Sequence, residues 1–309
     1  MKRIYLLAFL VIFGTSSEVF AQSCFGTSCL PKAVTNACTE MKGNGCIDWE
    51  NGVVYAVGMG VPNPNFPSAA QRRYAAYEAA KIVAMRNLLQ MVEEINITSS
   101  RTVKTGMLES DVIHTQITGR LRHVQEAGQP KNMNDGSIWV TMKMYLRDIM
   151  SVLINNGQFG TKGAPAAQVQ APATAPIPAA TIAPVKKQGV EYGGSADVIY
   201  SGLIIDARDS SVSPAMSPKI YDETGLEVYG SAAVDRNFAL RHGVVGYVKG
   251  LKKAMKNDRV QGKPLIIKAI RSGDKSSDLL ISNQDAELLR KLEATQTFLR
   301  EARVIIVIG

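Results

Sequence analysis

Four cysteines, one carboxylate-rich turn, three scattered histidines and a run of lysines are the groups in this chain whose types and spacing bear on chemistry. Cys24, Cys29, Cys38 and Cys46 cluster near the N-terminus. Their spacing lacks the paired C-x-x-C knuckles of a zinc site, no histidine lies nearby, and there is no C-x-x-C-H for haem attachment. An even, clustered set in an exported chain reads as two disulfides made in an oxidising compartment, with three connectivities open. The surrounding Lys42-Gly43-Asn44-Gly45 stretch has little apolar material, so each bridge is expected to contribute about 2–4 kcal/mol by restricting the unfolded chain.

Asp206-Ala207-Arg208-Asp209 ends an apolar run, a place where catalytic acids are often displayed; the plainer alternative is a turn carboxylate paired with Arg208. His114, His123 and His242 are far apart in sequence and lack an i, i+4 partner, which argues against metal ligation. No glycine-rich phosphate loop, nucleophile elbow or paired-carboxylate spacing is present, and Tyr192-Gly193-Gly194-Ser195 precedes a strand instead of opening a helix. The expectation is a non-catalytic protein with no metal and no cofactor. The competing class is an enzyme with an interdomain site near Asp206 and Arg208.

The basic run is the remaining signal. Lys249, Lys252, Lys253, Lys256, Arg259, Lys263, Lys268, Arg271 and Lys275 stand against only Asp258 and Asp274, which gives this region a local positive field. Lys249, Lys252, Lys253, Lys256, Arg259 and Lys263 are therefore the candidate contacts for an anionic envelope polymer or an acidic protein face; a solubilising surface is the plainer reading.

The elements that must hold these groups fall into two parts. Lys2 and Arg3, the apolar Ile4 to Phe13 and the small residues up to Ala21 read as a secretory signal peptide over residues 1–21, cleaved after Ala21. Its apolar run is too short for a permanent membrane span, and no later segment is apolar for long enough. Ser23 before Cys24 makes a lipid anchor at Cys24 the one route to a membrane. Formal charge is +8 for the whole chain and falls by one when Lys2, Arg3 and Glu18 leave. Export disfavours nucleic acid as a partner and leaves envelope proteins, an anionic envelope polymer or a second copy of the chain.

Residues 22–51 form a Cys-rich segment and residues 52–155 a first α+β domain. In that domain Val53 to Gly60 reads as a strand, and Ser68 caps a long helix. Ala70, Tyr74, Tyr77, Ala80, Ala84, Leu88, Met91 and Ile95 form its apolar stripe. Seven alanines in this helix let a neighbouring sheet come close. Asn96 to Lys104 alternates like a strand, Asp111 to Leu121 like a helix, and Asn134-Asp135-Gly136-Ser137 is a turn before a strand from Ile138 to Leu146.

Val54-Tyr55-Ala56-Val57-Gly58-Met59-Gly60, the Pro62 and Pro64 after it, the Ala-rich helix reaching Arg86-Asn87-Leu88-Leu89, Asp111-Val112 to Gly119, and Asp135-Gly136-Ser137-Ile138-Trp139-Val140 together resemble the LPP-twenty-type lipoprotein domain. That domain is similar to the N-terminal domain of the flagellar assembly protein T. The resemblance covers about residues 52–147 and carries no chemistry. It implies a non-enzymatic envelope protein, periplasmic or associated with the outer membrane, in some members placed around the flagellar basal body.

Residues 156–190 are rich in Pro and Ala, and an extended segment of this kind gains about 3 Å per residue, enough to hold two domains tens of ångströms apart. Residues 191–309 form a second α+β domain. A strand runs from Val198 to Ala207, a hairpin from Ile220 to Tyr229 turns at Gly225, and a short basic helix lies over Gly250 to Asn257. A strand over Pro264 to Ile270, a helix capped by Ser282 and a final buried strand over Arg303 to Ile308 complete it.

Overall fold

A computed structural model describes residues 24–160, 192–272 and 277–309. The expected signal peptide, most of the Pro/Ala segment, Asp274 and Lys275 lie outside the described residues. The fold is α+β.

The first unit opens with a 3-10 turn at Gly26–Cys29 and helix α1 (Lys32–Ala37). Strands β1 (Glu40–Lys42), β2 (Gly45–Asp48) and β3 (Val53–Gly60) follow, then the long helix α2 (Ala69–Glu93) and a small hairpin of β4 (Asn96–Thr98) and β5 (Arg101–Thr102). Helices α3 (Val103–Glu109) and α4 (Asp111–Leu121), the two-residue strands β6 (Gln125–Glu126) and β7 (Lys131–Asn132), strand β8 (Ile138–Tyr145) and helix α5 (Leu146–Asn155) complete it. The antiparallel sheet runs β1-β2-β3-β8-β6, with β7 also on β8.

The centre of this unit is a notch. Gly58 and Gly60 project from one face of β3, and a Cβ on either would lie 2.1 Å from the Ala84 backbone N or 1.9 Å from the Ala76 carbonyl O. Ala76, Ala80 and Ala84, spaced one helical turn apart, are fully buried against them. Glycine on the strand and alanine on the helix thus allow backbone to rest nearly on backbone, with the dispersion contacts that close approach gives. Ser68 Oγ accepts from Gln71 N at 3.0 Å while Gln71 Oε1 accepts from Ser68 N at 3.2 Å, a reciprocal cap on the helix start. The buried stripe begins later than the spacing suggests. Ala70 is exposed and Tyr74 is 67% exposed, because β3 ends at Gly60 and the first turns of α2 have no strand beneath them.

The opposite face of the sheet is covered by the Cys-rich segment. Cys24 is bonded to Cys29 and Cys38 to Cys46, the pairing of neighbours among the three open arrangements. Cys29, Leu30, Val34 and Cys46 pack with Val57 and Trp139 into a small apolar cluster, so the segment has more of a core than its composition suggests. Trp139 is a buried sheet-face aromatic with Phe25 edge-on at 6.2 Å. With the Cys24 sulfur held in a disulfide, a lipid thioether there would require that bond to be absent.

The second unit contains β9 (Leu203–Asp206), the hairpin β10 (Ile220–Tyr221) and β11 (Glu227–Tyr229), α6 (Arg236–His242), β12 (Gly246–Lys249) and α7 (Leu251–Ala254). It continues with a 3-10 turn at Asp258–Val260, β13 (Leu265–Lys268), β14 (Arg271–Ser272), β15 (Leu279–Leu280), α8 (Asn283–Thr295) and β16 (Val304–Ile308). Strands β12-β16-β9-β13 form a wholly parallel sheet, and β11-β10-β15-β14 a second, mixed one. Every residue of β9 and β16 is buried, as expected of central parallel strands covered on both faces. One face is covered by α7 and the 3-10 turn through Leu251, Ala254 and Val260.

The two units are not held apart. Their apolar residues form one continuous cluster. Met216 N donates to Asn96 O at 2.9 Å and Ser217 N to Ile97 O at 2.8 Å, so a segment of the second unit lies along β4 of the first. Trp49 meets Tyr247 edge to face at 5.5 Å. Among the described residues, no helix is long and apolar enough to cross a membrane.

Candidate functional site

Asp206 closes β9 with its side chain 4% exposed. Its carboxylate accepts from Arg208 Nε at 2.8 Å and Nη2 at 2.7 Å, from Tyr192 OH at 2.5 Å and from the Arg208 backbone N at 3.3 Å. Burial pushes this carboxyl up, but the bonds from Arg208 and Tyr192 outweigh it and hold the pKa at about 2. The arrangement is a turn carboxylate locked to its own arginine. Asp209 pairs outward with Lys268 at 2.8 Å.

The three histidines do not converge. His114 lies on the exposed side of α4, His123 just beyond that helix, and His242 at the end of α6. Among the described residues, no three His, Cys, Asp or Glu side chains are grouped as a metal site.

The basic run divides into two populations. Arg259 turns inward: its Nη1 donates to Ala302 O at 2.8 Å and its Nη2 to His242 O, so it braces the loops around β12 and is not a surface contact. Lys253 reaches across to Glu50 of the first unit at 2.8 Å, and Lys268 is taken by Asp209. Lys249, Lys252, Lys256 and Lys263 are exposed, and no carboxylate of the described residues pairs with them. The backbone of Arg271 lies in β14, and Lys275 is outside the described residues.

The junction of the units holds a cleft of about 480 Å³, which Asp206 and Arg208 do not line. Its walls come from both units: Trp49, Tyr145 and Arg147 from the first, Arg241, His242 and Arg259 from the second. Burial first, then the neighbouring Arg259, Arg241 and Arg303, lower the pKa of His242 and favour its neutral form. Sequence reasoning missed this cleft, since its walls come from stretches far apart along the chain that share no motif.

The parallel sheet of the second unit is also where the chain meets a known family. Residues 202–309 are similar to the second domain of Treponema pallidum Tp0624. The similar stretch begins immediately before β9 and closes with β16, so it takes in all four parallel strands and none of the first unit. No curated protein matches the chain.

Proposed function

We propose that this is an exported, non-catalytic envelope scaffold or assembly protein, which engages an acidic protein face or an anionic envelope polymer through Lys249, Lys252, Lys256 and Lys263. The observation that carries this reading is the division within the basic run. Arg259, Lys253 and Lys268 are committed to internal partners, whereas these four lysines stand exposed without a carboxylate. Their charge is therefore free to act on something outside the chain. The closed Asp206–Arg208 pair has no oxygen to spare for a substrate, which weighs against the enzyme reading built on those residues. The resemblance of residues 52–147 to the LPP-twenty-type domain supports an envelope setting.

The test is reversal of Lys249, Lys252 and Lys256 to glutamate, leaving Lys253 in place because its loss would strand Glu50. Retention on cell-envelope fractions is followed across a salt series. The wild-type chain should be retained at low salt and released as ionic strength rises, since exposed charges are screened over about 10 Å at 0.1 M. The variant should be released throughout. Equal, salt-insensitive retention of both would remove the proposal.

A further inference from the structure

The junction cleft has an unbalanced charge. Three guanidinium groups line it, those of Arg147, Arg241 and Arg259, against the carboxylates of Glu50 and Asp258. Glu50 is already committed to Lys253, which does not line the cleft. No carboxylate of the described residues pairs with any of the three arginines.

Arg259 sets the field. Its bonds go to the carbonyl oxygens of Ala302 and His242, dipoles that hold a guanidinium in place without cancelling its charge. Burial holds its pKa below the ordinary arginine value. A poorly hydrated cation with no counter-charge is unfavourable, and an anion entering beside it would relieve that cost. Arg147 and Arg241 are exposed at the mouth. The Arg147 guanidinium carbon lies 4.4 Å from the ring centre of Tyr145, and stacking of this kind leaves the N–H edge of the fork free for a carboxylate or phosphate. Trp49 and Tyr145 give the lining an aromatic surface, and the volume of about 480 Å³ lies in the range of clefts that take small organic ligands.

We infer that the cleft between the two units is a binding site for a small organic anion, a molecule the size of a sugar bearing a carboxylate or a phosphate. Arg147 and Arg241 grip its charge, and Arg259 supplies the fixed positive field behind them. This site is distinct from the lysine surface and does not depend on it.

The ring signals of the three histidines provide the readout in the full chain, because His242 lines the cleft and His114 and His123 do not. At fixed ionic strength the protein is titrated with glucuronate, glucose 6-phosphate and glucose, and the ring signals are followed by NMR. One or both anions should shift the His242 signals saturably and leave the other two in place, with no response to glucose; the two anionic arms tell carboxylate from phosphate. Arg147→Gln with Arg241→Gln, both at exposed positions, should weaken binding by about ten-fold or more. Lys252→Glu with Lys256→Glu should leave it unchanged. No saturable shift with either anion, an equal response to glucose, undiminished affinity in the arginine variant, or loss of binding in the lysine variant would each overturn the inference.

Discussion

Asp222 spends its charge in the same way as Asp206. It is buried at the turn between β10 and β11, where it accepts from Arg290 Nη2 at 2.6 Å, from Thr224 Oγ1 at 2.6 Å and from the backbone N of Thr224 and Leu226 at 2.9 Å each. Burial raises its pKa, yet these bonds win and hold it at about 2, as at Asp206. A carboxyl whose folded pKa is depressed contributes stability above its unfolded value, here 3.8, and loses that contribution as pH falls through the folded value. The urea midpoint is therefore expected to drop between about pH 4 and pH 2, and Asp222→Asn should flatten that drop. Arg290→Ala should cost about 1.5–3 kcal/mol at neutral pH, measured by urea unfolding, by removing a charged hydrogen-bond donor from a buried carboxylate. At this scale the sequence was partly legible. Asp206 and Arg208 are two residues apart and their pairing could be read directly. Arg290 lies far from Asp222 along the chain, and nothing local to Arg259 distinguishes it from the lysines around it.

The long helix and the strand beneath it meet nearly backbone to backbone. Gly60→Ala would place a methyl group 1.9 Å from the Ala76 carbonyl O, so helix or strand must move, and a loss of about 1–3 kcal/mol or more is expected in urea unfolding. Gly119 gives the contrast. It lies within α4 with nothing within 4 Å of a Cβ built there, so Gly119→Ala should stabilise by about 0.5–1 kcal/mol in the same measurement. Elements with local end signals were readable in the sequence. Ser68 caps α2, and Ser282 caps α8 by accepting from Asp285 N at 3.0 Å. Gly225 turns the β10–β11 hairpin in the left-handed region at φ 83°. Errors arose where side chains intercept the backbone. Thr102 accepts from Thr105 N at 3.3 Å and starts α3 inside the stretch expected to be strand. Tyr200 N bonds to the Gln296 side chain, so pairing in the expected Val198 to Ala207 strand begins only at Leu203. Asn257 caps a 3-10 turn and shortens the expected basic helix to Leu251–Ala254.

At the scale of the molecule, the Pro/Ala segment suggested two bodies on a tether, whereas the described units share a core and exchange backbone hydrogen bonds. Those contacts join positions more than a hundred residues apart and leave no periodic trace, because Met216 and Ser217 bond through backbone atoms that any sequence supplies. Contacts of this kind should hold the units together without the covalent connection. A protease site placed in the Pro/Ala segment, cut after folding, is expected to leave two fragments that co-elute in size-exclusion chromatography; separate elution would show the interface too weak to hold them. Breaking the Trp49–Tyr247 contact with Trp49→Ala should cost about 3–5 kcal/mol and lower the unfolding midpoint of the intact chain.

The placement of β16 also bears on biosynthesis. Val304–Ile308 fits between β12 and β9, with which it pairs residue for residue, although both are made well before it. Until β16 has been made, the edge of β9, aliphatic but for Asp206, and the edge of β12, with its buried Tyr247 and Val248, face an empty slot, and such edges invite pairing with other chains. A chain stopped before β16 would lack the wedge that separates them, so a holding chaperone is most needed until β16 has been made.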